Sequence, residues 1–178
     1  MKFILTRHAV TDWNDVGRIQ GHTDIPINSK GKEDARKMGE ILLPLGVELI
    51  VSSDLKRSKE TAEIIQAILN VPMDIRRGLR ECFFGSIQGL TKDEAIEKYG
   101  LSVREHLENQ TAYDFGKFGG ERTLDVLARH KEVLEYVAKA HPTKTVLLVG
   151  HGRGLNTLLV HLGYEANLKR GEYREISW

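Results

Sequence analysis

The chain has 178 residues, which suits one domain able to bury a sizeable core. Hydrophobic residues make up 40% and charged residues 29%, the balance of a soluble globular protein. With 26 Lys plus Arg against 25 Asp plus Glu the formal net charge is +1, which excludes a surface built wholly for nucleic acid and requires any anion site to be a local cluster of cations.

Phe3 to Thr6 is an apolar run that predicts a buried strand. Polar residues and glycines follow as far as Gly31. From about Lys32 to Leu45, the apolar residues Ala35, Met38, Ile41, Leu42 and Leu45 recur at helical spacing, and Pro44 and Gly46 close the pattern. Leu49 to Val51 predicts a second buried strand. Asp54 is the expected cap of the next helix, which carries Ala62, Ile65, Ile68 and Leu69 on one side and ends at Asn70 and Pro72. Met73 to Ile75 predicts a short third strand. Leu79 to Gly89 is irregular and rich in aromatic residues and glycine. Thr91, with Glu94 at capping-box spacing, opens a helix to Tyr99. Residues 101–120 read clearly neither as helix nor as strand. A long amphipathic helix follows from about Arg122 to Ala140. Val146 to Val149 is a strongly apolar strand, Gly150-His151-Gly152 breaks it, and Leu155 to Leu162 predicts a helix. Tyr173 to Trp178 reads as an edge strand.

Alternating strands and helices imply an α/β layer fold with a mostly parallel sheet, in a single domain over residues 1–178. Ligands of such sheets sit beyond the carboxyl ends of the strands. That rule selects Arg7 and His8 after the first strand, Arg57 after the second, and His151 after the last long one. Arginine offers a planar fork matched to phosphate oxygens, so two Arg and two His suit an anion. Zinc is the rival ligand, but HExxH and CxxC spacings are absent and the arginines would repel a cation. A histidine among arginines has its neutral form favoured, and a neutral imidazole is a competent nucleophile. One His can attack phosphorus while the other donates to the equatorial oxygens. The leaving oxygen then needs a proton, for which Glu81 is the candidate.

Leu5-Thr6-Arg7-His8-Ala9-Val10-Thr11-Asp12-Trp13-Asn14, followed by Gly17-Arg18-Ile19-Gln20-Gly21-His22-Thr23-Asp24-Ile25-Pro26-Ile27-Asn28, resembles the opening of the histidine phosphatase superfamily. Ser52 to Ser58, Leu79 to Gly85, Gly119-Gly120-Glu121 and Gly150-His151-Gly152 resemble its later motifs, in family order along nearly the whole chain. The resemblance implies a three-layer α/β/α sandwich like that of the phosphoglycerate mutases, and a reaction that needs no metal or other cofactor. It implies His8 as nucleophile, Glu81 as proton donor, and Arg7, Arg57 and His151 on the phosphoryl group, with Asn14 and Gln20 as further phosphate-side donors. The chain departs from the usual pattern at Ala9, Val10, Gln88 and Arg153. Cys82-Phe83-Phe84-Gly85 replaces the Glu-Arg-x-Tyr-Gly of glycolytic mutases, and the chain is short for a mutase and lacks the usual insertions, which places it on the phosphatase branch; the short stretch from Gly163 to Trp178 implies reduced last strands.

The expected activity is hydrolysis of a small phosphorylated metabolite. A mutase-like phosphotransferase and a protein phosphohistidine phosphatase are the alternatives. No nucleic acid or membrane partner is expected, a homodimer is compatible with the sequence, and the location expected is cytoplasmic, since the N-terminal apolar run is too short for a signal peptide. Phe83, Phe84, Tyr113, Phe115 and Phe118 are expected to pack in a core. His22, His106, His130, His141 and His161 are expected to be structural or exposed.

Overall fold

The computed structural model describes residues 1–178 and is centred on a five-stranded sheet of order β3-β2-β4-β1-β5. Strands β1 (Lys2–Arg7), β2 (Leu49–Ser52), β3 (Met73–Ile75) and β4 (Thr145–Gly150) are parallel, and β5 (Tyr173–Ser177) pairs antiparallel with β1 at the edge. The helices are α1 (Asp12–Asp15), α2 (Ser29–Leu42), α3 (Lys56–Leu69), α4 (Lys92–Tyr99), α5 (Ser102–Glu108), α6 (Thr123–Ala140) and α7 (Gly152–His161).

Successive strand residues point to opposite faces, and both faces are covered. Ile4, Ile50, Leu147 and Val149 pack against Met38, Leu42, Ala62 and Ile65 of α2 and α3. Phe3, Leu5, Val51, Val146 and Leu148 pack against Val133, Leu134 and Val137 of α6 and Leu155, Leu158 and Leu159 of α7. The result is a three-layer α/β/α sandwich. A separate cluster of Cys82, Phe84, Ile87, Ala95, Val103, Tyr113, Phe115 and Val126 forms a lobe beyond the strand ends.

Several boundaries differ from the periodicity. Helix α2 starts at Ser29 because the Asn28 side chain accepts the Gly31 N–H at 2.9 Å, a cap that lies ahead of the first apolar residue. Helix α7 starts at Gly152, ahead of its apolar run. The ambiguous stretch holds α5 and a 3-10 turn at Gly116–Phe118. No helix is long and apolar enough to cross a membrane.

Candidate active site

The parallel register of β1 on β4 sets Arg7 opposite Gly150. The next residues, His8 and His151, therefore meet, with ring centroids 5.2 Å apart. Both are buried. The His8 Nδ1–H donates to the Ala9 carbonyl at 2.7 Å, which assigns the tautomer and leaves Nε2 with its lone pair. Burial first, and then the charge of Arg57, hold the His8 pKa well below its ordinary value, with the Ala9 carbonyl opposing and Arg7 adding. His151 is lowered in the same way by burial, Arg57 and His8, and neither of its ring nitrogens has a protein partner. Two neutral imidazoles thus sit among cations near pH 7.

Arg57 lies in the first turn of α3 and is 1% exposed. Its Nη2 donates to Gly21 O at 2.7 Å and its Nη1 to Thr23 O at 3.0 Å, while Nε has no partner. Burial lowers its pKa to about 10, so it remains charged at neutral pH. The turn is pinned by Ser58, whose hydroxyl donates to Val149 O at 2.8 Å. The carboxylate that meets the start of α3 is that of Asp24, which accepts the Lys56 N–H at 2.6 Å. The expected cap, Asp54, instead binds Arg80 through both oxygens, at 2.7 and 2.6 Å, because a bidentate charged pair is stronger than a single cap bond. Arg7 donates from Nη1 to Leu168 O at 3.3 Å. Its guanidinium lies against Gly152, where a Cβ would come within 2.7 Å of Nη2, so a side chain at this position would displace the guanidinium.

Asn14 belongs to α1, where its Oδ1 accepts the backbone N–H and the hydroxyl of Thr11, both at 3.1 Å, so that Nδ2 is left without a protein partner. Gln20 is buried and its Oε1 is unpartnered. Glu81 accepts three backbone N–H groups: Cys82 at 2.9 Å, Gly154 at 3.2 Å and Arg153 at 3.3 Å. The last two belong to the first turn of α7. Arg7, His8, Asn14, Gln20, Arg57 and Glu81 all line one cleft of about 300 Å³, and His151 is fully buried beside His8. All the residues singled out in the sequence therefore meet at one place. No group of three or more His, Cys, Asp or Glu side chains converges in the chain.

Other residues of the site were not legible. Arg153 is buried; it donates to Leu107 O at 2.7 Å and to Asn109 O, and its guanidinium carbon lies 4.8 Å from the Tyr113 ring centroid, 5.2 Å from that of Phe115 and 5.3 Å from that of Phe84. Arg129 donates to Gly78 O at 2.7 Å and Glu81 O at 2.9 Å, and also pairs with Glu121. His22 adds a second bond to the Glu81 carbonyl, at 2.8 Å from Nε2. His130 is fully buried in α6, its Nδ1–H donating to Val126 O at 2.8 Å and its Nε2 unpartnered, and the ring fills the space that a Cβ on Gly154 would take. Burial, then Arg129, lower the His130 pKa to about 3. His22 lies within the Gly17–Asn28 motif and Arg153 two residues after His151, whereas Arg129 and His130 depend on tertiary placement.

Two neutral imidazoles sit beside arginine guanidinium groups at the strand ends of an α/β/α sandwich, an arrangement whose charge suits an anion. The chain belongs to the histidine phosphatase superfamily, branch 1, whose family model matches residues 3–177. It is 34% identical over 158 residues to the phosphatase PhoE of Bacillus subtilis, covering 89% of this chain and 75% of the relative. It is 35% identical over 151 residues to phosphoserine phosphatase 1 of Hydrogenobacter thermophilus, covering 85% and 71%. Among solved structures, Bacillus stearothermophilus YhfR superposes with a TM-score of 0.88 at 31% identity, covering 99% of this chain and 90% of that one. A mycobacterial glucosyl-3-phosphoglycerate phosphatase superposes with a TM-score of 0.87 at 27% identity, covering 99% and 92%.

Proposed function

We propose that this protein hydrolyses phosphate monoesters of a small metabolite through a phosphohistidine on His8. One observation carries the reading: His8 is a buried, neutral imidazole whose Nδ1–H is held by Ala9, leaving Nε2 free in a cleft lined by Arg7 and Arg57. The cleft, about 300 Å³, has the size of a metabolite site. Relatives named as phosphoserine and glucosyl-3-phosphoglycerate phosphatases support a phosphorylated small molecule as substrate.

In the first step the His8 Nε2 lone pair forms a bond to phosphorus as the ester P–O bond breaks. Arg7, Arg57, His151, Asn14 and Gln20 supply donors to the non-bridging oxygens, where charge sits in the transition state. Glu81 gives its proton to the leaving oxygen, releasing the alcohol. In the second step water attacks phosphorus, the P–N bond breaks, Glu81 takes the water proton, and inorganic phosphate leaves. The guanidinium groups provide the positive charge that a metal ion provides in other phosphatases, so no metal or other cofactor is assigned.

The test is rapid quench with a substrate labelled in its phosphoryl group. Acid-labile, base-stable label should appear on the wild-type protein and be absent from His8→Ala. Persistent label in that variant would move the nucleophile elsewhere, and activity lost on exhaustive chelation and restored by zinc or magnesium would replace the mechanism with a metal one. Isomerisation of a phosphoglycerate in place of phosphate release would favour the mutase reading.

A further inference from the structure

Six cations line the cleft: Arg7, Arg18, Arg57, Lys92, Arg153 and Arg170. Five of them are already engaged. Arg18 donates to Gly89 O and pairs with Glu94 at 3.1 Å, and Lys92 pairs with Glu108 at 2.6 Å. Arg57 and Arg7 are held by main-chain carbonyls, and Arg153 by carbonyls and aromatic faces. Arg170 makes no hydrogen bond or ion pair with any group of the protein, although the segment that carries it is well tied down. Leu168, two residues before it, is buried, donates to the Asn156 side chain at 3.1 Å and accepts from Arg7. The Glu172 carbonyl, two residues after it, accepts from the Thr6 hydroxyl at 2.9 Å. The backbone on either side of Arg170 is therefore held at the carboxyl end of β1, and its exposed side chain lines the mouth of the cleft.

Its place along the cleft is also set. A second cavity of about 520 Å³ runs along α2, and the only residues it shares with the cleft are Arg7 and Arg170. Arg170 thus lies on the same side of the cleft as Arg7, where the two cavities meet. The charge of Arg170 repels that of Arg7, Asp15 offsets only part of it from outside the cleft, and an anion between the two arginines removes the repulsion. The proximity is felt electrostatically: the charge of Arg170 contributes to lowering the pKa of both Arg7 and His8.

We propose that Arg170, supplied by the short segment before β5, is a third phosphate-binding arginine that closes on the phosphoryl group from the open side of the cleft. The inference rests on the phosphatase reading and adds to it a residue outside the motifs that carry the family resemblance. It binds the group common to all substrates, so its effect is independent of the leaving group.

The experiment compares wild type, Arg170→Ala and Arg170→Lys in two assays: calorimetric titration with vanadate, and kcat/KM on p-nitrophenyl phosphate and on alkyl phosphates with and without a second acidic group. Arg170→Ala should melt at the wild-type temperature, bind vanadate roughly 10-fold or more weakly, and lose kcat/KM by a similar factor on every ester, the scale of a charge-assisted hydrogen bond. Arg170→Lys should recover part of both losses, and the wild-type advantage should shrink as salt is raised. Unchanged vanadate affinity with unchanged kcat/KM overturns the proposal and leaves Arg170 a solvated charge. A loss confined to esters bearing a second acidic group, with vanadate binding intact, also overturns it, since Arg170 would then read the leaving group. If wild type binds vanadate but turns over no monoester, the hydrolytic reading fails while the titration still decides Arg170. If wild type binds no vanadate, both fail.

Discussion

At the floor of the cleft, Arg7, Arg57, His8 and His151 stand on the ends of β1 and β4 and the first turn of α3. At its wall, Glu81, Phe84 and Arg153 stand on turns, on the start of α7 and on a lobe with its own apolar cluster. Both regions contain a buried arginine, and the two arginines are used differently. Arg57 satisfies Nη1 and Nη2 on carbonyls and keeps Nε free. Arg153 donates to the carbonyls of Leu107 and Asn109 and lies over three aromatic rings, so its charge holds the wall in shape. In the proposed mechanism the floor carries the chemistry, and the wall shapes the substrate and protonates its leaving oxygen.

The largest effect should come from the floor. His8→Ala removes the proposed nucleophile but neither arginine, so turnover should fall on the order of 10⁴-fold or more while vanadate still binds. Calorimetry and steady-state kinetics on the same preparation would show the separation. Loss of vanadate binding in parallel with activity would mean that His8 organises the floor as well as reacting on it.

This contrast also explains what the sequence revealed. The floor was legible because a parallel sheet gathers residues from strand ends, so Arg7, His8 and His151 could be placed together from the apolar runs that precede them. The need for a proton on the leaving oxygen pointed to Glu81, and the family motifs added Asn14 and Gln20. The wall was not legible. Residues 101–120 carry no sustained period, since α5 is short and the rest is turn, held by T-shaped contacts such as Phe84 on Phe115 at 4.9 Å. Arg153 looked like a departure from pattern because its partners are backbone carbonyls, which have no sequence signature. The Asp54 cap failed for a related reason: Arg80, 26 residues away, is a better partner, and only the tertiary fold brings it there.

Glu81→Gln sharpens the contrast at the wall. An alkoxide needs a proton to leave, whereas nitrophenolate leaves nearly unaided. The loss should be roughly 100-fold or more on an alkyl phosphate and much smaller on p-nitrophenyl phosphate, provided transfer to His8 limits both. Equal losses would reduce Glu81 to a positioning residue, a role that its three backbone bonds could also serve.

Arg153→Met tests whether the wall is a matter of shape alone. The stem is kept, but the carbonyls of Leu107 and Asn109 lose a charged donor, and a hydrogen bond to a charged group contributes about 1.5–3 kcal/mol. KM for a bulky metabolite should rise about 10-fold, the scale of a single lost charged hydrogen bond, with kcat less affected. p-Nitrophenyl phosphate should feel it least. A fall in kcat on every substrate, with KM unchanged, would place Arg153 among the reacting groups and erase the distinction between wall and floor.

The smallest effect concerns acid stability and falls on the side of α7 away from the cleft. His8, His130 and His151 are all buried, with pKa values pushed below the ordinary 6.5, that of His130 to about 3. In the unfolded chain each takes a proton as pH falls below 6.5, while in the folded chain it does not. The unfolded state therefore binds more protons over that window, and stability that is present at pH 7.5 is lost on acidification. For one such histidine the loss between pH 7.5 and 5 is about 2 kcal/mol. His130→Leu removes one of the three and also removes an unpartnered buried nitrogen. Urea unfolding should thus show a variant near wild-type stability at pH 7.5 whose decline to pH 5 is shallower by about 2 kcal/mol. Parallel declines for the two proteins would mean that His130 takes up its proton while folded, as a ring with access to water does. It would then lose its place in the dry packing between α6 and the first turn of α7.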